Sequence, residues 1–386
     1  MWYSNISAAY WPQSFEERGN VCMKIVRRFI FTAAFLFAAI LMIRAAKEYG
    51  DFLFMFYPGI MREIQVILSE LTIELDYLLW ERVAMIALIW AGVTLLLDII
   101  LQENLLRWIS GVTAVAAFVF CAYVGLSGLN HYAPSVAEGM RLEVRQDYTV
   151  SELKKAATYY RDGANQFAPF VERDANGAYV SDDTFAEMAQ KVGSGMKNMT
   201  RTSFVFGGST VAPKELGYLT RYDIPSVYSC FTGECCINPN VEDTAMPFLM
   251  SYEAARRMSI VREGDAEFIA SLACIASDSR DYRYSGYFMA YRFCMEALNA
   301  LDAEAAAELA EGECEELKAD LAASTFMPEE ALGTQWLSRM EALDEKEQSK
   351  ISAPVDYPDV ASLLVSWHIH LTTPKVVEED AISAAA

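Results

Sequence analysis

The sequence predicts a mainly α-helical protein in which N-terminal transmembrane helices are followed by a mostly helical α+β domain. Three observations lead to this prediction. Long apolar runs lie in the first third of the chain, and after Pro134 the composition changes to that of a soluble domain. The 386 residues combine a mean hydropathy of +0.15 with a formal net charge of -21. Such values are expected when apolar spans are joined to an acidic domain.

The acidic balance also bears on possible partners. A nucleic-acid partner is not expected, because phosphate binding requires a basic face and this chain would be repelled. The apolar runs make the lipid bilayer the expected partner, and the protein is expected to be a multi-pass protein of the cell membrane.

A membrane region is predicted over residues 25–129, after a cytoplasmic N-terminus at residues 1–24. Three of its segments are apolar and close to the length of about 20 residues that a bilayer requires. They cover residues 29–46, 82–101 and 107–127.

The first of these segments leaves an alternative open. Its run of residues 29–43, which is apolar apart from Thr32, is short for a span. It is therefore either a retained span, extended by its flanking residues, or the core of a cleaved signal peptide. Lys24, Arg27 and Arg28 favour an N-terminus inside the cell, so that three crossings would place the chain after Leu129 outside the cytoplasm.

Two features of this region also have alternative interpretations. Asp98 lies near the end of the second span, where solvation by headgroup water is favoured over a role in an ion path. Between the first two spans, apolar residues at helical spacing predict an amphipathic helix that either lies on the membrane or packs under the outer domain. This apolar stripe consists of Ile64, Ile67, Leu68, Leu71 and Leu75.

The outer domain is predicted over residues 130–373, followed by a disordered Ala-rich tail at residues 374–386. Thr149 and Glu152 are spaced as a capping box, which predicts the start of a helix. Glycine, proline, aromatic and β-branched residues between positions 203 and 237 predict loops and short strands. Further helices are predicted at residues 182–193, 247–262, 265–277, 285–296, 302–323 and 359–368.

The segment around Glu253 has the frame of a zinc-peptidase helix without its zinc ligands. In an H-E-x-x-H helix, two histidines four residues apart bind the metal, and the glutamate is the general base. The glutamate is retained as Glu253, whereas the histidine positions are Tyr252 and Arg256, and Asp265 stands at a downstream position for a third ligand. An arginine stays protonated and has no lone pair to donate, so Arg256 would repel a metal.

Further short motifs accompany this segment along the chain. They are Gly128-Leu129-Asn130-His131-Tyr132, Tyr148-Thr149-Val150-Ser151-Glu152-Leu153, Phe231-Thr232-Gly233-Glu234, Pro247-Phe248, Glu267-Phe268-Ile269-Ala270 and Tyr284-Ser285-Gly286-Tyr287. In these motifs the chain resembles an uncharacterised family of bacterial membrane proteins, domain of unknown function 3810, which carry an extracytoplasmic zincin-like domain. The resemblance implies a zincin-like fold for the outer domain and zinc as the family's cofactor. Because this chain is degenerate at the ligand positions, no cofactor is expected here.

The acidic residues of the same region could instead bind calcium or magnesium or form ion pairs. Oxygen ligands could be gathered for calcium or magnesium, but Arg256 and Arg262 lie among the acidic residues. Ion pairs are therefore favoured, in particular a pair of Arg256 with Glu253 or Asp265 across the two motif helices. The candidate carboxylates are Glu234, Glu253, Glu263, Asp265 and Glu267.

Histidine and cysteine residues offer weaker candidates. The three histidines, His131, His368 and His370, are far from the motif in sequence, so a rebuilt zinc site is disfavoured. Structural cysteines, either unpaired or in a disulfide from Cys230 to Cys235 or Cys236, are favoured over a metal site or a nucleophilic thiol.

These observations predict a membrane-anchored pseudopeptidase that lacks zinc and acts by binding a peptide, a cell-envelope component or an active relative. The alternative is a membrane-bound metal-dependent hydrolase with a non-standard metal site around Glu253 and Asp265. A third hypothesis is that the chain is a structural membrane protein whose outer domain only packs against partners.

Overall fold

The computed structural model describes residues 15–175, 177–200, 211–222, 224–324 and 358–373. The described chain is mainly α-helical with one small sheet, as predicted. It divides into two compact units. The apolar unit comprises residues 1–53 and 80–132, and the large unit comprises residues 54–79 and 133–386. Residues 54–79, which the sequence placed within the membrane region, thus belong to the large unit, and the predicted tail at residues 374–386 lies outside the described residues.

The apolar unit contains three helices that are long and apolar enough to cross a membrane. Helix α1 extends well beyond the predicted first span at its N-terminal end and packs against α5. Few side chains in the three helices are buried within the protein, as expected of surfaces that lipid would cover. The helices of this unit are α1 (Phe15–Glu48), the short α2 (Gly50–Leu53), α4 (Leu79–Ile100) and α5 (Leu105–Leu126).

Asp98, near the end of α4, is neutralised by a neighbouring arginine. Arg107 Nη2 donates a hydrogen bond of 2.7 Å to Asp98 Oδ1 across the turn that joins α4 to α5. The side chain of Asp98 is only 11% exposed. The sequence predicted that headgroup water solvates this carboxylate, whereas in the structure Asp98 forms an ion pair with Arg107. The ion pair lowers the free-energy cost of placing the charge near the end of the span.

The large unit is built around α10 and α11. Helix α10 is buried on nearly all sides, and α11 packs against α7, α9, α10 and α14. At the closest approach a Cβ on Gly286 of α11 would lie 2.6 Å from Cys274 Cβ and 2.8 Å from Ile275 N. Only glycine fits at this contact. The helices are α3 (Tyr57–Ile73), α6 (Val136–Gly139), α7 (Val150–Phe167), α8 (Phe185–Thr200), α9 (Met246–Arg257), α10 (Glu263–Ile275), α11 (Arg280–Leu301), α12 (Ala303–Ala310), α13 (Glu315–Ala323) and α14 (Val360–Thr372).

A small sheet of three short strands packs on α9 and α3. The strands are β1 (Lys214–Glu215), β2 (Ser226–Ser229) and β3 (Glu234–Ile237), in the order β1-β3-β2. Strand β1 is parallel to β3, and β2 is antiparallel to it, with Ser226 opposite Ile237. The prediction of short strands in this part of the chain is confirmed, and residues 201–210 and 223 lie outside the described residues.

The predicted helices are mostly confirmed, with shifted ends. The capping box of α7 forms as predicted, since Thr149 and Glu152 exchange both of its hydrogen bonds. The single helix predicted over residues 302–323 is wrong. The chain breaks between α12 and α13 at Gly312, where a Cβ would lie 2.2 Å from Arg161 Nη1, and the side chain of Cys314 then caps α13.

Candidate functional site

Helix α9 carries Tyr252, Glu253 and Arg256 and is held between the sheet and α10. Pro247 lies in its first turn, where the missing N–H costs nothing. The helix ends at Arg257, and Ser259 then adopts a φ of 71°, in the left-handed region, before α10 begins at Glu263. The short connection fixes the orientation of the two motif helices, which pack directly against each other.

Glu253 lies at the centre of the candidate site and its side chain is fully buried. Its Oε1 accepts a hydrogen bond of 2.6 Å from Ser226 Oγ on β2. Arg256 Nη1 lies 3.3 Å from both carboxylate oxygens. Burial raises the pKa of the Glu253 carboxyl above its ordinary value, while Arg256 and Ser226 oppose that shift by stabilising the charged form.

Arg256 is held between two tyrosine rings. Its guanidinium carbon lies 5.6 Å from the ring centre of Tyr252 and 5.9 Å from that of Tyr228 on β2. Both distances are within the range of cation–π attraction. The Arg256 side chain remains 32% exposed, so part of its charge can meet a ligand from solvent.

Tyr252, one residue before Glu253, is packed against another aromatic ring. It stacks on Phe248, with the ring centres 6.3 Å apart and the planes inclined by 21°. Burial raises the pKa of the Tyr252 phenol, so the hydroxyl stays protonated at neutral pH. Neither Tyr252 nor Arg256 therefore offers a donor suited to zinc.

Asp265 is held by a separate set of contacts. It accepts hydrogen bonds from Ser135 Oγ at 2.6 Å and from Val136 N at 3.3 Å. Arg262 Nε donates to it at 2.8 Å, and the same guanidinium donates to Ala133 O at 2.7 Å. Asp265 thus fastens the start of α10 to residues 133–136.

The ion pairs differ from the predicted arrangement in one respect. The pairing of Arg256 with Glu253 is confirmed, but this pair lies within α9 and does not link the two motif helices. Glu253 pairs with Arg256 on α9, and Asp265 pairs with Arg262 at the start of α10. In both cases the arginine is three residues from the carboxylate, which places it on the same face of the helix.

These residues do not fit a zinc ion. A cationic guanidinium occupies the second ligand position and both candidate carboxylates are engaged with arginines. Across the described ranges, no three histidine, cysteine, aspartate or glutamate side chains are grouped so as to hold a metal. Of the other predicted carboxylates, Glu234 lies 3.4 Å from Lys214 Nζ, while Glu263 and Glu267 lie on α10.

All eight cysteines lie in the described part of the chain and none of them forms a disulfide, as in one of the two predicted alternatives. Cys235 is buried behind the motif, and its Sγ donates to Glu253 O at 3.2 Å. Burial raises the pKa of Cys230 and of Cys235 to about 11 in each case. The thiols are therefore protonated at neutral pH, which disfavours a nucleophilic role.

Two of the histidines have aromatic neighbours. His368 lies against Tyr159, with ring centres 5.4 Å apart, and His370 stacks on Trp367 at 5.6 Å. His131 lies in the short 3-10 helix at residues 128–132, in the apolar unit.

Ser226, Tyr228 and Ser135 are site residues that the sequence did not single out. Ser226 and Tyr228 alternate on β2, so both side chains point to the face that α9 covers. That alternation is a signal in the sequence, although it does not name the partner helix. Ser135 has no comparable signal, because its partner Asp265 is 130 positions away.

The fold and this site define a class of candidate membrane proteins: three apolar helices and a mainly helical unit with a buried, arginine-paired carboxylate. Residues 52–339, about three quarters of the chain, match the family described as protein of unknown function (DUF3810). The chain belongs to this family, as its sequence motifs predicted. No curated protein and no solved structure is significantly similar to the chain.

Proposed function

We propose that the chain is a membrane-anchored, zincin-like protein that has lost its zinc site and acts by binding, as a pseudopeptidase. The observation that carries this proposal is the position of Arg256. Its guanidinium stands where an H-E-x-x-H helix would present its second histidine, and it is fixed there by Glu253 and two tyrosine rings. Glu253, the position of the general base, is thereby converted into a structural ion-pair partner.

The ligand that fits this site best is an extended peptide with an acidic group. Strand β2 lies at an edge of the sheet in the described part of the chain, and an extended peptide can add to such an edge. The partly exposed Arg256, flanked by Tyr228 and Tyr252, then supplies a cation for a carboxylate of the ligand. A cell-envelope component or an active relative that presents such a segment would be bound in the same way.

The proposed location is the cell membrane, with the large unit outside the cytoplasm. The candidate spans of the apolar unit support membrane insertion. Lys24, Arg27 and Arg28 precede the apolar part of α1 and favour a cytoplasmic N-terminus. Three crossings would then place the chain after α5 on the outer side. No cofactor and no nucleic-acid partner are part of this proposal.

A membrane-bound metal-dependent hydrolase is the alternative, and one observation favours it. A buried carboxyl with a raised pKa, such as Glu253, is typical of acid–base sites. Against it stand Arg256 and Arg262, each of which occupies a carboxylate that a metal would require. A divalent cation would have to displace both arginines.

Elemental analysis separates the two functions. The full chain is purified in detergent, dialysed against chelated buffer and then equilibrated with zinc. We expect no stoichiometric metal in the native chain. The double variant Tyr252→His and Arg256→His supplies two imidazoles four residues apart and serves as the positive control for zinc uptake. One tightly bound metal per native chain, lost in Glu253→Gln, would overturn the pseudopeptidase proposal.

A peptide-binding assay tests the proposal that Arg256 binds an acidic group of an extended peptide. Extended peptides that carry one aspartate or glutamate are added to the reconstituted full chain, with amide analogues as controls. We expect the acidic peptides to bind more tightly than their amides, and Arg256→Gln to remove the difference. Equal binding of acid and amide by the native chain would contradict the assignment of Arg256 as the ligand-facing cation.

A further inference from the structure

Helix α3 is packed with its polar face inward. Its most buried side chains include Gln65, 1% exposed, and Ser69, 2% exposed. On the outer side Ile67 is 56% exposed and Leu71 is 69% exposed. This is the reverse of the arrangement in an ordinary surface helix, whose apolar stripe faces the core. The predicted apolar stripe thus forms a helix, but the domain does not cover its outer part.

Specific hydrogen bonds hold α3 in this orientation. Gln65 Nε2 donates to Cys230 O at 2.9 Å, and Thr72 Oγ1 donates to Thr232 O at 3.3 Å. In the turn between β2 and β3, Gly233 has a φ of 70°, and a Cβ there would lie 2.6 Å from Ser69 N. The turn therefore presses directly on the helix backbone, and a rotation that buried the apolar side would break these contacts.

A lysine and a glutamate secure the C-terminal end of α3. Lys214 Nζ donates to Thr72 O at 2.5 Å and to Leu75 O at 3.0 Å, which satisfies carbonyl groups at the helix end. Glu234 lies 3.4 Å from the same ammonium and accepts from Leu79 N at 3.0 Å. The outward direction of Ile67 and Leu71 is thus fixed along the whole second half of the helix.

The chain itself keeps α3 close to a membrane surface. Residues 54–56 join α2 to α3, and residues 74–78 join α3 to α4. Fully extended, these connections reach about 15 Å and about 20 Å. Because α1 and α4 are consecutive candidate spans, the chain between them leaves and re-enters the bilayer on the same face. A helix tied at both ends in this way stays at that surface.

The exposed side of α3 has two flanks. Phe56, Ile60, Ile67 and Leu71 follow one another at spacings of four and seven residues, and each is more than half exposed. Glutamates at positions 63, 70 and 74 form a neighbouring exposed row. A helix with an apolar row beside a charged row suits a position in the plane of the bilayer surface, with the apolar row among acyl chains and the charges in water.

We propose that α3 is an interfacial helix that docks the large unit on the lipid bilayer through the row Phe56, Ile60, Ile67 and Leu71. Its polar face binds the β2–β3 turn of the large unit, and its apolar row binds lipid. The contact is made by apolar side chains and requires no anionic headgroup, so neutral phosphatidylcholine is sufficient. The strand β2, which contacts Glu253 and Arg256, is thereby held near the membrane surface.

Spin labels on the full chain in phosphatidylcholine vesicles test this docking. Ile67→Cys and Leu71→Cys probe the apolar row, and Glu63→Cys and Glu70→Cys are matched controls on the same helix. The native chain, labelled in parallel, gives the signal of the native cysteines for subtraction. Each label is exposed to oxygen, which partitions into lipid, and to a water-soluble nickel chelate. Labels at all four sites replace exposed side chains, so the fold is expected to be retained.

We expect the ratio of oxygen to nickel accessibility at Ile67 and Leu71 to exceed that at Glu63 and Glu70 by several-fold. Equal ratios on both flanks would place the helix in water and overturn the proposal. Low accessibility of Ile67 and Leu71 to both reagents would mean that protein, such as a second copy of this chain, covers the row, and would overturn it as well. Adding anionic lipid is expected to leave the ratios unchanged.

Discussion

Replacing Arg256 by methionine tests whether the Glu253–Arg256 pair is structural. The methionine keeps an unbranched side chain of similar length but removes the positive charge that, among the described residues, pairs with the fully buried Glu253 carboxylate. Ser226 Oγ remains as a hydrogen-bond donor, but it carries no charge. Glu253→Gln is the matched change on the other side. It removes the Glu253 partner of Arg256, whose side chain is 32% exposed and can be solvated by water.

The two variants therefore differ in their expected costs. Removing one partner from a buried pair costs about 3–5 kcal/mol, because the remaining charge is buried and uncompensated. We expect Arg256→Met to approach the lower end of this range at pH 8, about 3 kcal/mol. Glu253→Gln is expected to cost about 1 kcal/mol, the contribution of an ordinary hydrogen bond, because no buried charge remains. The double variant is expected to be more stable than Arg256→Met alone.

The loss in Arg256→Met is also expected to depend on pH. Without Arg256, burial is opposed only by the hydrogen bond from Ser226, so the pKa of Glu253 rises further above its value in the unfolded chain. The folded protein then keeps a proton that the unfolded chain has released. The stability from this proton is present below the unfolded pKa and is lost as the pH rises through the folded pKa. Arg256→Met is therefore expected to differ less from the native chain at pH 6 than at pH 8.

A thermal assay with a thiol-reactive fluorophore measures these effects on the full chain in detergent. Cys235, Cys236, Cys274 and Cys294 are buried in the large unit and become reactive when it unfolds. A loss of about 3 kcal/mol corresponds to a fall in Tm of about 6–12 °C for a unit of this size. If Arg256→Met melts with the native chain at pH 8, or if its loss is the same at both pH values, the buried-charge argument fails.

Three further changes test the packing and the topology. Gly286→Ala places a methyl group against Cys274 and the backbone of Ile275 and is expected to lower stability by about 1–3 kcal/mol in the same assay. Gly59→Ala is the control, because a Cβ at Gly59 would have no atom within 4 Å. If the two variants had equal Tm values, the close contact at Gly286 would be refuted. Asp320→Asn removes the negative charge of the buried carboxylate that accepts hydrogen bonds from Arg173, Tyr284 and Tyr179 N. It is expected to lower the free energy of unfolding by about 3 kcal/mol. An unchanged Tm would mean that this network does not contribute to stability. Glu311→Cys, in the large unit, is expected to react with a membrane-impermeant maleimide in intact cells. Glu103→Cys, in the turn between α4 and α5, is expected to react only after the cells are lysed. The opposite result would invert the proposed topology.

Local patterns predicted the helices of the site and one of its ion pairs. The capping box at Thr149 and the pair of Glu253 with Arg256 involve residues three positions apart, so their geometry follows from the helix itself. Contacts between distant positions were not predictable in the same way. Ser226 reaches Glu253 and Ser135 reaches Asp265 only because the sheet and residues 133–136 pack on the motif helices.

The orientation of α3 shows the limit of periodicity more directly. The spacing of Ile64, Ile67, Leu68, Leu71 and Leu75 predicted a helix with an apolar stripe, and the helix is present. Spacing states which residues share a face, but not which face the domain covers. Here the buried face is decided by hydrogen bonds of Gln65 and Thr72 to the β2–β3 turn, and no single-sequence pattern reports those partners.

Both carboxylates of the motif helices have structural roles. Glu253 links α9 to β2 through Ser226, and Asp265 links α10 to residues 133–136. In each case an arginine three residues away neutralises the charge, so that the carboxylate can be buried without a metal. A metal that took both carboxylates as ligands would have to break both links. The arginines therefore stabilise this pair of helices, and the burial of Glu253 is explained by packing without any requirement for catalysis.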